Sequence, residues 1–229
     1  LLHGRRFVFS VSDTGAQRTF DTEEIFRDEL KHLYEVEDGD ALHRILGQQY
    51  HAVVGNPPYI AVKDRAVSEL YRARFPSCSG KYSLSVPFME RFFDLAVKGD
   101  GTPQQPAGFV GQITSNSFMK REFGKKLIEK YLPRWDLTHV LDTAGAYIPG
   151  HGTPTVILFG KNQPPVSCTI RTVLGIRGEP DVDKDAAEGR VWQAILRQLD
   201  EPGSQSEWVS AADSPRQNFH KHPWSVGGG

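Results

Sequence analysis

Cysteine is scarce in this sequence: Cys78 and Cys168 are the only two among 229 residues. They stand far apart, with no Cys-x-x-Cys pair and no clustered histidine, which argues against a zinc site or a disulfide framework and leaves no metal expected. A reducing cytoplasm suits such a chain. Long apolar runs are missing as well. No stretch approaches the roughly 18 residues of a membrane helix, and the opening Leu1-Leu2-His3-Gly4-Arg5-Arg6 lacks the apolar core of a signal peptide. The expectation is a soluble protein that is not exported. Charge of one sign is also lacking: 27 basic residues face 28 acidic ones, for a net charge of −1. Composition therefore says nothing for or against a nucleic-acid partner, and any basic surface must be local. No repeat with a period of 20 to 50 residues is present.

What remains is an ordinary globular composition, 38% hydrophobic, enough for one domain with a sizeable core and an appendage. Residues 6–11 read as a strand. Asp21 opens a helix with Glu24 completing a capping box before Ile25, Leu30 and Leu33. Residues 50–55 form a compact apolar run that ends on Pro57-Pro58, as a buried strand would. A charged helix is predicted over 64–74 and an apolar one over 85–97, whose Phe88, Phe92 and Leu95 stripe reads as core. After a surface loop at 99–107 come a strand over 109–114, a helix over 118–131, and strands over 137–141 and 155–159. This alternation predicts an α/β fold with a doubly wound, mostly parallel sheet. Past Pro164-Pro165 the pattern weakens to a strand at 167–174 and a helix near 186–199. The expected division is a catalytic-domain part at 1–162, a peripheral strand-helix extension at 163–200, and a linker or the start of a further domain at 201–229. The opening without methionine and the closing Val226-Gly227-Gly228-Gly229 suggest a piece of something longer.

In an open parallel sheet, ligands sit beyond the carboxyl ends of strands, and the run 50–55 delivers Asn56-Pro57-Pro58-Tyr59 to such a place. Two prolines can simply stop a strand, but this one tetrapeptide is expected by chance in roughly one chain in a thousand of this size. Its chemistry is specific. An exocyclic amine on a base is a poor nucleophile because its lone pair is conjugated into the ring. The Asn56 side-chain oxygen and the Pro57 carbonyl can each accept one N–H, favouring the pyramidal nitrogen that develops during attack on an electrophilic methyl group. Pro58 stiffens the carbonyl, and Tyr59 offers a face on which a flipped base stacks, worth about 1–3 kcal/mol.

With those residues in view, the sequence resembles the amino-methyltransferases that act on DNA adenine. The resemblance runs over about residues 38 to 160 and is particularly close to the large methylases of type IIG restriction-modification enzymes and of BREX phage-defence systems of the PglX type. It implies a Rossmann-like fold dependent on S-adenosylmethionine, incomplete at its N-terminus, acting on double-stranded DNA by base flipping, with other defence-system proteins as further partners. Gly39-Asp40-Ala41-Leu42 resembles the family's acidic motif, which gives Asp40 a place at the cofactor. Gly80-Lys81-Tyr82-Ser83-Leu84 resembles the segment that closes over the cofactor, implicating Lys81 and Tyr82. Residues 108–119 match the strand and turn that follow, and Ala146-Tyr147-Ile148-Pro149 with 153–159 resembles the hairpin that sets a second aromatic, here Tyr147, against the base. The sequence departs from the family at His51, where an aspartate is common. It also has no glycine-rich loop before Asp40, since Gly15 in Ser12-Asp13-Thr14-Gly15 stands alone. By itself the chain is expected to bind the donor weakly and to be inactive.

Weaker signals have plainer explanations beside them. Lys120, Arg121, Lys125, Lys126, Lys130 and Arg134 against Glu122 and Glu129 give a local charge of +4, able to meet phosphate or equally to form a solvated helix face. Asp40 also suits a turn or helix cap, Tyr147 suits plain core, and His151 between two glycines suits a solvated loop tip or a DNA-backbone contact. The same tetrapeptide also serves methylation of a protein glutamine amide. A DNA-binding scaffold piece without donor binding is the non-enzyme alternative. Asn56, where cytosine-N4 enzymes usually carry Ser or Asp, favours adenine by resemblance.

Overall fold

The computed structural model describes residues 39–150, 152–180 and 185–225. The strand and helix expected before residue 39, and His151, lie outside the described residues. The chain divides into two units, 1–44 and 45–229. Of the first, the described part is the start of helix α1 (Gly39–Leu46), which carries Asp40 in its first turn.

The second unit is built on a six-stranded sheet of β1 (Ala52–Gly55), β2 (Phe109–Ser115), β3 (Asp136–Asp142), β4 (Thr155–Lys161), β5 (Thr169–Gly175) and β6 (Val209–Pro215). Their spatial order is β1-β2-β4-β3-β5-β6. β1 pairs parallel with β2 and β3 with β5, whereas β4 and β6 run antiparallel to their neighbours. Four of the six strands thus share one direction. The fold is mixed and mostly parallel, because the short link from β3 to β4 makes a hairpin where a helical crossover would keep them parallel.

Helix α2 (Arg65–Arg74) starts where Asp64 accepts the Val67 N–H at 3.0 Å, and it stops at Phe75, held extended ahead of Pro76. Helix α3 (Ser85–Leu95) buries Val86, Met89 and Phe93, with Ala96 following. Of the expected Phe88, Phe92 and Leu95 stripe, Phe92 packs half-buried against the core and Leu95 is half-buried, whereas Phe88 is exposed. Strand alternation sends Val110, Leu137, Val140, Val156, Leu158 and Ile170 to the α3 side of the sheet. Leu141, Ile157, Val173 and Ala211 go to the other side, under helix α4 (Arg190–Gln198). Both faces are covered there, as in a doubly wound sheet.

Three expectations need correction. The apolar run at 50–55 is a strand, but not a buried one: among the described residues β1 is an edge, and Val54 is 79% exposed. Residues 118–131 do not form one helix. They break into 3-10 turns at Asn116–Met119 and Glu122–Gly124 and a π-helical segment at Leu127–Tyr131, and Gly124 packs so closely on the Phe118 backbone that a Cβ would stand 1.8 Å from its carbonyl oxygen. Finally, residues 201–225 are no linker. β6 pairs along its whole length with β5, and Trp224 reaches the main core, where it packs on Phe118 and Phe219. Arg216, just beyond β6, is buried and bonds Asp136 at 2.9 Å and the Ser167 carbonyl at 2.6 Å. Asp136 also accepts from Gln163 and from the Val166 backbone, so the buried charge pair is well satisfied.

Candidate active site

The parallel pairing of β1 and β2, and the antiparallel entry of β4, bring three loops to one edge of the sheet: 56–62 after β1, 116–124 after β2 and 143–154 between β3 and β4. The Asn116 N–H donates to the Pro154 carbonyl at 3.0 Å, tying the second loop to the third. Asn-Pro-Pro-Tyr leads the first. There Pro57 is buried, Asn56 and Pro58 are exposed and Tyr59 is half-buried. The Tyr59 hydroxyl donates to Asn56 Oδ1 at 2.6 Å, and partial burial pushes its pKa above the usual tyrosine value. An amide oxygen has two lone pairs, so Asn56 Oδ1, oriented by Tyr59, keeps capacity for one further N–H.

The segment carrying Lys81 and Tyr82 lies alongside: Ala61 bridges to Ser83, and the Leu84 N–H donates to the Ile60 carbonyl at 2.8 Å. Lys81 is exposed. Tyr82 is 2% exposed and gives its hydroxyl to the Ser68 carbonyl at 2.9 Å, while the Arg72 guanidinium covers its ring. That side chain joins this segment to α2 rather than facing the open edge. Asp40 belongs to the other unit of the chain.

Tyr147, half-buried, sits in the third loop, which is pinned from outside. Trp192 Nε1–H of α4 donates to the Tyr147 carbonyl at 3.0 Å, and the Glu179 N–H to the Gly145 carbonyl at 2.8 Å. The Glu179 carboxylate in turn accepts from the backbone of Arg190 and Val191, capping α4. Asp142, at the end of β3, accepts from the backbone of Ala144 and Gly175. Burial pushes its carboxyl above the usual range. Lys120 and Arg121 are exposed on the second loop, whereas Lys125 faces Glu122 at 3.9 Å.

Sequence reading missed Trp192, which bonds the Tyr147 carbonyl from 45 residues away, Glu179, which bonds the Gly145 carbonyl from 34 residues away, and the segment 220–222. The His222 ring bonds the Arg121 carbonyl at 3.0 Å, which places Lys221 beside the basic loop. No local periodicity signals such long-range pairs. Among the described residues no group of three or more His, Cys, Asp or Glu is placed to hold a metal, and no helix is long and apolar enough to cross a membrane.

Solved structures place this fold in a class. The chain superposes on a modification subunit assigned to a type I restriction enzyme from Vibrio vulnificus with a TM-score of 0.53 at 13% identity, over 73% of this chain and 34% of that one. It superposes on the type IIG restriction endonuclease BpuSI with a TM-score of 0.53 at 15% identity, over 78% and 22%. The likeness is one of fold: the chain shares the architecture of part of each of these restriction-modification proteins. Sequence goes further: residues 10–147 match the Eco57I restriction-modification methylase family, and the chain belongs to it. It is 53% identical to the adenine-specific methyltransferase PglX of Streptomyces coelicolor over 208 residues, 88% of this chain and 17% of that protein. It is 30% identical over 105 residues to the type II methyltransferase M.XhoI of Xanthomonas vasicola, 45% of this chain and 18% of the relative. The chain therefore spans under a fifth of the length of either relative.

Proposed function

We propose that this chain supplies the target-base side of a DNA adenine-N6 methyltransferase working in restriction-modification or phage defence. The observation that carries the reading is the Asn56-Pro57-Pro58-Tyr59 loop at the carboxyl end of β1, at the same sheet edge as the Tyr147 loop. The adenine-specific name of the PglX relative supports the choice of base. Asn56 Oδ1 and the Pro57 carbonyl accept the two N–H groups of the flipped adenine amine, directing its lone pair outward. Tyr59 and Tyr147 hold the base between aromatic faces. S-adenosylmethionine, when bound, supplies an electrophilic methyl group. By resemblance to the family, Asp40 and, separately, Lys81 and Tyr82 are the residues assigned to the donor. No glycine-rich loop lies in this sequence to cradle it, so the chain alone is expected to bind the donor weakly. Lys120, Arg121 and Lys221 provide phosphate contacts for duplex DNA, and Lys125 and His151 are further candidates for such contacts.

The test is to incubate the full-length protein carrying this chain with methyl-labelled S-adenosylmethionine and duplex phage DNA, then to digest the DNA and identify the labelled nucleoside. N6-methyladenine is the expected product. Label in a protein glutamine would replace the DNA reading, and donor binding without transfer would favour a scaffold role.

A further inference from the structure

Among the described residues, one buried amide has no hydrogen-bond partner for either its oxygen or its nitrogen: Gln112 on β2, 2% exposed. Two residues on, Thr114 is fully buried and its hydroxyl is likewise unpartnered. Buried polar groups left unpaired weaken a fold, and native proteins keep few of them.

Their place is specific. Gln112 is the register partner of Gly55, the residue before Asn56. Gly111 faces Val54 and Phe159 on the other side of the sheet. Alternation therefore turns Gln112 and Thr114 to the side of Val110 and α3. Gly55 presents bare backbone there, since a Cβ would stand 2.6 Å from the Phe92 ring. The two polar side chains thus lie beside the end of β1, beneath the catalytic loop, in a layer otherwise built from Val110, Met89 and Phe93. An apolar side chain of the same size would pack in that layer without leaving polar atoms unpaired.

We propose that Gln112 is a positioning residue for methyl transfer: its amide is the buried support that the Asn56–Pro57 backbone engages when the loop holds the target amine. Thr114 is the second group of the same seat. The proposal rests on the methyltransferase reading above. Gln112 does not touch the substrate. It acts through the loop, and its interaction is made in the reacting arrangement more than in the resting one.

Gln112→Met in the full-length protein preserves shape and removes the polar atoms. The thermal midpoint is expected to stay level or to rise by about 2–4 °C. KM for duplex DNA should stay within about twofold while kcat falls on the order of tenfold or more. Thr114→Val should shift kcat in the same direction by a smaller factor. Unchanged kcat with a level or raised midpoint would overturn the proposal, leaving Gln112 as a mere core residue. A lowered midpoint with proportionate loss of KM and kcat would overturn it too, by showing an ordinary structural role. Wild-type protein that forms no N6-methyladenine would remove the underlying reading itself, an outcome distinct from either.

Discussion

The two ends of the sheet are held in different ways. At the β5–β6 end, polar and charged groups are paired: Arg216 with Asp136 in the interior, Thr172 with Ser214 at 2.9 Å, and, nearer the surface, Arg171 with Asp213 at 2.6 Å. At the β1–β2 end, Val54 and Phe109 lie open, Gln112 is unpaired, and Asn56 accepts a short bond from Tyr59. Stabilising contacts are concentrated at one end and the loop proposed to react is at the other, mounted on a rigid body without being locked by it. The Tyr147 loop, tied to α4, belongs with the first group although it serves the second.

The largest effect is expected from breaking the rigid end. Arg216→Ala strands the Asp136 carboxylate and should lower unfolding free energy by about 3–5 kcal/mol in denaturant titrations. A loss below about 1 kcal/mol would erase the contrast between the two ends. Tyr59→Phe keeps the stacking ring and removes the hydroxyl that orients Asn56, so turnover should fall about 5–10-fold while DNA affinity holds. Trp192→Phe removes the donor to the Tyr147 carbonyl while keeping an aromatic ring in the α4 contact. Fluorescence of 2-aminopurine at the target position should show base flipping weakened about fivefold.

The smallest effect concerns Asp142. Its folded-state pKa is raised by burial, so the stability that its protonated form contributes is present below the unfolded value of about 3.9 and is lost as pH rises through the raised one. Asp142→Asn should therefore gain on wild type at neutral pH and lose that advantage on acidification. A pH-independent difference between the two unfolding curves would contradict the assignment.

Much of this arrangement was legible in the residues. The apolar run before two prolines located β1 and its loop, and alternation located β2 to β5. Legibility failed where tertiary pairing overrode propensity. β6 reads Val-Ser-Ala-Ala-Asp-Ser-Pro, poor strand text that is held by its register on β5 and by Asp213 meeting Arg171. The turns at 116–134 were hidden because the fit of Gly124 against Phe118 is a packing fact, not a periodicity. In the site, the Asn-Pro-Pro-Tyr loop was readable because its chemistry is local. Trp192, Glu179 and Gln112 were not, since each acts across the fold.

The Asn-Pro-Pro-Tyr loop is proposed to act on the reacting amine more than on the DNA as a whole. The most direct test is single-turnover methyl transfer by full-length Asn56→Ala, measured beside its Kd for the same duplex. Transfer is expected to fall about 10²–10³-fold with Kd changed by no more than about twofold. Transfer and binding falling together by the same factor would contradict it.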